Sequence, residues 1–178
     1  MKKGRVAMLA VVACLLVADS PPPAQEAIAT AQLPERVVSA GEVSRIVGSV
    51  NPTLSSRELE RIGNAVVRYS AKYGLAPELV TAVLLVESSA RPWVRSPKGA
   101  VGLMQVMPYM AAPMRMAGNF ATIEANVEAG CIILAGNIAR LGEENGISAY
   151  FWGSNIRGVA YLDRVRAARD RVRRGLHS

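Results

Sequence analysis

Between Pro77 and Glu87 the chain runs through Leu79, Val80, Val83, Leu84, Leu85 and Val86, a segment apolar on almost every side of a helix. A helix with one apolar stripe lies on a surface, whereas one apolar all round must be enclosed by other elements. The fold therefore has to build a shell around this segment. Pro77 suits the first turn of such a helix, and Glu87 stands at its far end.

The flanking segments have the helical period. Ser55-Ser56-Arg57-Glu58 reads as a capping box. Leu59, Ile62, Val66 and Tyr69 then recur at helical spacing, and Gly74 stops the helix. Thr122 caps a long helix to about Leu141 that carries Ile123, Val127, Ile132, Ile133, Leu134 and Ile138. Gly130 and Gly136 inside it cost about 1 kcal/mol each relative to alanine, which points to close approach of another helix. A loop runs from Arg91 to Gly99. Gly102 is expected to open a short helix of Leu103, Met104, Val106 and Met107, bent or broken by Pro108 and Pro113. Gly142 and Gly146 frame a turn, and two more helices finish the chain. With aromatic residues at only 5%, the core must come from Ala, Val, Leu, Ile and Met. The expected fold is all-α.

Length and apolar content suit one globular domain with tails: 178 residues, 51% hydrophobic. Lys2, Lys3 and Arg5 precede a thirteen-residue apolar run, Val6 to Ala18. A membrane span needs about 20 such residues, so residues 1–24 are expected to be a signal peptide. Cleavage after Ala18, after Ala24 or near Ala29-Thr30-Ala31 is compatible with the residues. The alternatives are an uncleaved anchor, or a lipoprotein site at Cys14, against which the apolar Leu15-Leu16-Val17 argues. Export places the protein in the periplasm. Residues 25–54, with Pro34 and Pro52, read as a linker or N-terminal arm in which 37–50 can form a short docked helix. Residues 55–178 form the folded domain, with a basic C-terminal helix.

The reactive inventory is short. The one histidine, His177, is next to last, so a Ser/His/Asp triad, a Cys/His dyad and a His-rich zinc site are excluded from the body of the fold. Without the leader, Cys131 stands alone and reads as a small buried hydrophobe. Carboxylates remain as the catalytic groups. The formal charge of +7 falls to +4 without the three leader cations, 18 basic against 14 acidic residues. Arg164, Arg166, Arg169, Arg171, Arg173 and Arg174 concentrate this charge near the C-terminus. No aromatic residues interleave them as a nucleic-acid surface would require, so a solvated helical face is expected.

Glu87 breaks a local rule. A carboxylate at a helix C-terminus faces the negative end of the dipole, and here it follows three apolar residues. Both effects favour the protonated acid and raise its pKa. A carboxylic acid still protonated near neutral pH is what cleavage of a glycosidic bond requires of its proton donor.

Glu87-Ser88-Ser89, followed by Ser96-Pro97-Lys98-Gly99-Ala100-Val101-Gly102-Leu103-Met104-Gln105-Val106-Met107-Pro108, closely resembles the signature of the lytic transglycosylases of the soluble, lysozyme-like type. Asn126-Val127 with Gly130, Ala149-Tyr150 with Gly153, and Tyr161 with Val165 continue the resemblance over residues 58 to 166. It implies a lysozyme-like helical domain acting on peptidoglycan glycan strands with no metal or organic cofactor. It implies that Glu87 protonates the oxygen between muramic acid and glucosamine, then deprotonates the muramic C6 hydroxyl to leave a 1,6-anhydro end. Ser88 would help orient Glu87 or the sugar, Met104 and Gln105 would line the cleft, and Tyr150 would reach the Glu87 region. Phe151 departs from the family pattern, which has Asn there, and Trp152 replaces a small residue. The two rings either supply a sugar-stacking surface or pack in the core.

No Asp or Glu occurs between Ser88 and Ile123, consistent with the substrate's own N-acetyl oxygen replacing the second carboxylate of ordinary glycosidases. A lysozyme-type hydrolase is the first rival. An inactive wall-binding component of a secretion or conjugation apparatus is the second, and such an apparatus is also a possible partner of an active enzyme.

Overall fold

The computed structural model describes residues 37–110, 116, 120 and 122–176. The expected leader, its cleavage site, the Cys14 alternative and His177 lie outside them. Six α-helices make up the described fold: α1 Ala40–Val50, α2 Ser56–Lys72, α3 Pro77–Ser88, α4 Ile123–Leu141, α5 Glu143–Trp152 and α6 Ala160–Leu176. Among the described residues the only β-type pairings are isolated bridges in the loop after α3. The all-α expectation holds. None of these helices is long and apolar enough to cross a membrane.

The enclosure demanded by the 77–87 run is what forms. Six consecutive α3 residues, Leu79 to Leu84, are buried. They pack against α6, α2 and α1. Each fully enclosed Val or Leu contributes about 1.5–3 kcal/mol of transfer free energy. Thr81, also enclosed, satisfies its hydroxyl by donating to Pro77 O at 2.8 Å. Truncating Leu84, wholly buried, to alanine costs about 2–5 kcal/mol by cavity formation.

The helix expected over 37–50 is present as α1, so the packed body includes residues ahead of Ser55. Ser39 and Glu42 form a second capping box, and Val43, Ile46 and Val47 are buried. The Ser44 hydroxyl lies 2.8 Å from both Ala40 O and Leu59 O, tying α1 to α2.

Two glycine readings change. Gly130 does permit close approach, but of the Met104 side chain rather than of a helix; a Cβ there would lie 2.6 Å from Met104 Cβ. Gly136 has open space around it. Gly146 is not in a turn. It sits inside α5, where a Cβ would lie 2.6 Å from the Ile138 backbone, so its missing side chain lets α5 close onto α4. Gly142 alone makes the turn, at φ 77°. Cys131 is fully buried, and burial pushes its thiol up to about 12, in keeping with an inert core residue.

The basic face of α6 is partly a seam of ion pairs. Arg169 and Arg173 each reach Glu78 of α3 at 3.1 Å, Arg169 also reaches Glu143 at 2.9 Å, and Arg166 pairs with Glu144. The sequence pattern shows the cations but not the acids they meet.

Candidate active site

Helix α3 ends abruptly just past Glu87. Its C-cap, Ser89, has φ 52° and ψ 43°, and Ala90 follows at φ 59°. Two successive non-glycine residues in the left-handed region store strain of about 1 kcal/mol or more each. The turn is held by side chains as well as by its own backbone. Asn51 Nδ2 donates to Ala90 O at 2.9 Å, and Arg91 Nε donates to Ser88 O at 2.9 Å. The chain is thereby turned away sharply at the residue that carries the carboxyl.

The Glu87 carboxyl is largely enclosed. Tyr161 Oη, from the first turns of α6, donates to its Oε1 at 2.6 Å. Burial raises the Glu87 pKa above the ordinary carboxylate value, opposed by the Tyr161 hydrogen bond and by the positive charge of Arg164. Burial and the adjacent carboxylate push the Tyr161 phenol far up, so it remains a donor at every physiological pH. Tyr150, partly buried, is likewise raised, first by burial and then by the Glu87 charge.

The predicted site residues divide by what their side chains meet. Tyr150 lies close enough to feel the Glu87 charge, but its hydroxyl donates to Met104 O at 2.8 Å. Ser88 is buried and donates to Leu84 O at 3.0 Å, inside its own helix. Met104 is wholly enclosed and packs beside Gly130. Gln105, at φ 48°, folds its amide back to donate to Gly102 O at 2.9 Å and Val94 O at 3.3 Å. The residue that actually holds Glu87 is Tyr161, which the sequence marks only as half of a Tyr…Val pair. The available signal is that a tyrosine in register with Val165 and Ala168 faces the core, and a buried phenol needs a partner.

The short helix expected at 102–107 does not form. Val101 and Val106 exchange both backbone hydrogen bonds at 3.0 Å, enclosing a four-residue turn in which Gly102 and Gln105 have positive φ. Pro108–Met110 is a single 3₁₀ turn. Asn126 of α4, almost fully buried, fastens this loop. Its Oδ1 accepts from Met104 N at 2.8 Å, and its Nδ2 donates to Val101 O at 2.9 Å and Phe120 O at 3.0 Å. A side chain at Gly102 would collide with the Asn126 amide.

Phe151 does not enter the core. It is half exposed and stacks on Tyr161, ring centroids 5.0 Å apart and planes at 14°. Trp152 meets its edge at 4.9 Å, and the Arg164 guanidinium lies 5.9 Å from the Phe151 centroid and 5.5 Å from that of Tyr161. The four acids on α4 and the start of α5 are committed to bases or face them. Glu124 takes a two-pronged bond from Arg61 at 2.6 and 2.8 Å, Glu128 pairs with Lys72 at 2.6 Å, and Glu143 and Glu144 face α6.

A family model, that of the transglycosylase SLT domain, matches residues 64–163. That span runs from α2 through Glu87 and the Asn126-fastened loop to Tyr161. The chain belongs to the SLT domain family. A transglycosylase of Enterobacteria phage PRD1 is 38% identical to this SLT protein over 97 residues, which are 54% of this chain and 35% of the phage protein. An endo-type membrane-bound lytic murein transglycosylase A of Klebsiella pneumoniae is 50% identical over 38 residues, 21% of this chain and 19% of that one. The SLT protein thus spans about a third or less of the curated relatives it matches. A solved structure of the lytic transglycosylase Slt from Pseudomonas aeruginosa superposes with a TM-score of 0.48 and 18% identity, covering 79% of this chain and 29% of that one.

Proposed function

We propose that this SLT domain is a peptidoglycan lytic transglycosylase with Glu87 as its single acid and base. The observation that carries the reading is the Glu87 carboxyl itself: raised by burial, held by the Tyr161 phenol, and set at a strained helix end. A group of that kind keeps its proton toward neutral pH and gives it to a leaving oxygen. In the first step the Glu87 proton moves to the glycosidic oxygen, and the bond from that oxygen to muramic C1 breaks. The glucosamine 4-hydroxyl leaves, and the muramic N-acetyl oxygen supports the electron-poor C1. In the second step the Glu87 carboxylate takes the proton of the same sugar's C6 hydroxyl while O6 closes onto C1. The 1,6-anhydro ring forms, no water is consumed, and Glu87 regains its proton.

Tyr161 fits the role of positioning residue, donating to Oε1 so that Oε2 is left to face the sugar. Tyr150 positions the loop through Met104 O. The Klebsiella relative is named as a membrane-bound murein enzyme; for this chain, action on exported wall in the periplasm is part of the proposal. A secretion, pilus or conjugation apparatus is the partner class in keeping with local wall opening.

The test is digestion of purified sacculi by the protein and by Glu87→Gln, with products read by mass spectrometry. Anhydro-muropeptides from the wild type alone are expected. Equal release by both proteins sinks the mechanism, and reducing ends in place of anhydro ends identify a hydrolase.

A further inference from the structure

A concavity of about 420 Å³ lies between the turn that follows Glu87 and the start of α2. Asn51, Thr53, Glu58, Arg91 and Trp93 line it. Its size is that of a small-ligand pocket. Arg91 is four residues from Glu87, so the two backbones lie within about 14 Å of each other.

The pocket's polar groups are unevenly committed. Asn51 is largely committed, with one Nδ2 N–H on Ala90 O at 2.9 Å and Oδ1 accepting from Thr53 N at 3.3 Å and Thr53 Oγ1 at 2.7 Å, which leaves its second N–H uncommitted. Glu58 Oε2 is used by the capping box, accepting from Ser55 N at 2.9 Å and Ser55 Oγ at 2.7 Å. Its Oε1 has only a long contact, 3.4 Å, from the Trp93 indole N–H. Arg91 gives Nε to Ser88 O, and neither of its NH₂ groups has a hydrogen-bond partner among the described residues. Trp93 is 59% exposed. What remains for a ligand is one carboxylate oxygen, one guanidinium, one open indole face and a single amide N–H. A sugar needs neutral donors and acceptors in number. Opposite charges flanking an aromatic plane suit a zwitterion on an aliphatic stem, its ammonium against Glu58 and the indole and its carboxylate forked by Arg91.

We propose that this pocket binds the peptide portion of the cell-wall polymer through a residue bearing both a free ammonium and a free carboxylate. The choice of the wall peptide as its source rests on the transglycosylase reading; the zwitterionic chemistry does not. Such a peptide hangs from the muramic sugar whose bond Glu87 cleaves, so a peptide site this near Glu87 places that sugar at the acid.

The probe is N-acetyl-alanyl-glutamyl-diaminopimelate, whose one free ammonium is that of the diaminopimelate, titrated into the full chain by calorimetry, with the Trp93 indole resonance as a second readout where Trp93 is present. Saturable binding is expected. Acetylating the peptide's ammonium or amidating its carboxylates should weaken it about 3- to 10-fold, as should Trp93→Ala and Glu58→Gln. The glutamine keeps the capping box, so it tests charge without unfolding α2. Absence of saturable binding, binding unchanged in both variants, or displacement of the Trp93 resonance by a peptide-free chitooligosaccharide instead would each overturn the proposal. The probe has no glycosidic bond, so its binding is separable from catalysis. Peptide binding without anhydro products would sink only the mechanism, and anhydro products without peptide binding only this pocket.

Discussion

Helix α3 carries a carboxylate near each end, and both meet α6, yet they end in opposite states. Glu78, in the first turn, is approached by Arg169 and Arg173 at 3.1 Å. Burial alone would raise it, but hydrogen bonds from its own backbone N–H, from Arg173 and from Arg169 outweigh burial, and its pKa falls below the usual value. Glu87, in the last turn, is approached by the neutral Tyr161, with Arg164 acting only through its charge, and burial prevails. Same residue type, same helix and same partner helix give a fixed anion at one end and an acid at the other. The helix dipole adds to the contrast, favouring negative charge at the N-terminus and opposing it at the C-terminus. The difference lies in what α6 presents: guanidinium groups at one end, a phenol at the other.

The sharpest way to break that comparison is to exchange each carboxylate for its amide. Glu87→Gln should lower anhydro-muropeptide release by about 10³-fold or more, the scale of losing a general acid-base group, while Glu78→Gln leaves turnover within a few-fold. Comparable losses in both would mean the two ends are not functionally distinct. Stability should reverse the order. Because the Glu78 pKa is depressed in the fold, its contribution is present above the ordinary carboxylate range and is lost as pH falls through the folded value. Glu78→Gln should therefore cost about 2 kcal/mol at pH 7, a Tm fall of about 4–8 °C, with little loss in acid. Calorimetry across pH reads this directly.

Removing the phenol hydroxyl isolates the other end. Tyr161→Phe removes the bond that holds the Glu87 carboxylate down, so the acid form should persist to higher pH. The alkaline limb of the rate profile moves up, and turnover at the optimum falls about tenfold with the loss of a charge-assisted bond. An unmoved limb would remove Tyr161 from the mechanism. For Glu87 the linkage runs opposite to Glu78. Its folded pKa is raised, so its ionisation destabilises the fold as pH rises through that value. Glu87→Gln should melt higher than wild type at pH 7, by a few degrees at most, with the gap closing below the ordinary carboxylate range. The smallest effect belongs to Arg164→Gln. It should move the alkaline limb up slightly, and high salt should erase the difference because the guanidinium is exposed.

Much of this was legible residue by residue. The all-round apolar run forced a central α3, the Ser55–Glu58 box started α2, and Thr122 capped α4. The Ser39–Glu42 box that starts α1 obeys the same rule, but it lies in a stretch whose prolines suggested an arm. Residues 101–107 misled for a different reason. A short apolar run does not distinguish helix from extended chain, and only Asn126, about twenty residues onward, supplies the bonds that favour the looped form.

Sequence by itself determined the all-helical shell, the position of Glu87 at the end of its buried helix, and through its motifs the family. These are consequences of local period, caps and short-range spacing. The direction of that carboxyl's pKa shift is legible in the sequence, and tertiary structure alone decided which groups face it. Tyr161 reaches Glu87 across 74 residues, and Arg169 and Arg173 reach Glu78 across more than 90. A pKa depends on burial and on charges within a few ångströms, and which helix brings them there is settled only when the shell has closed.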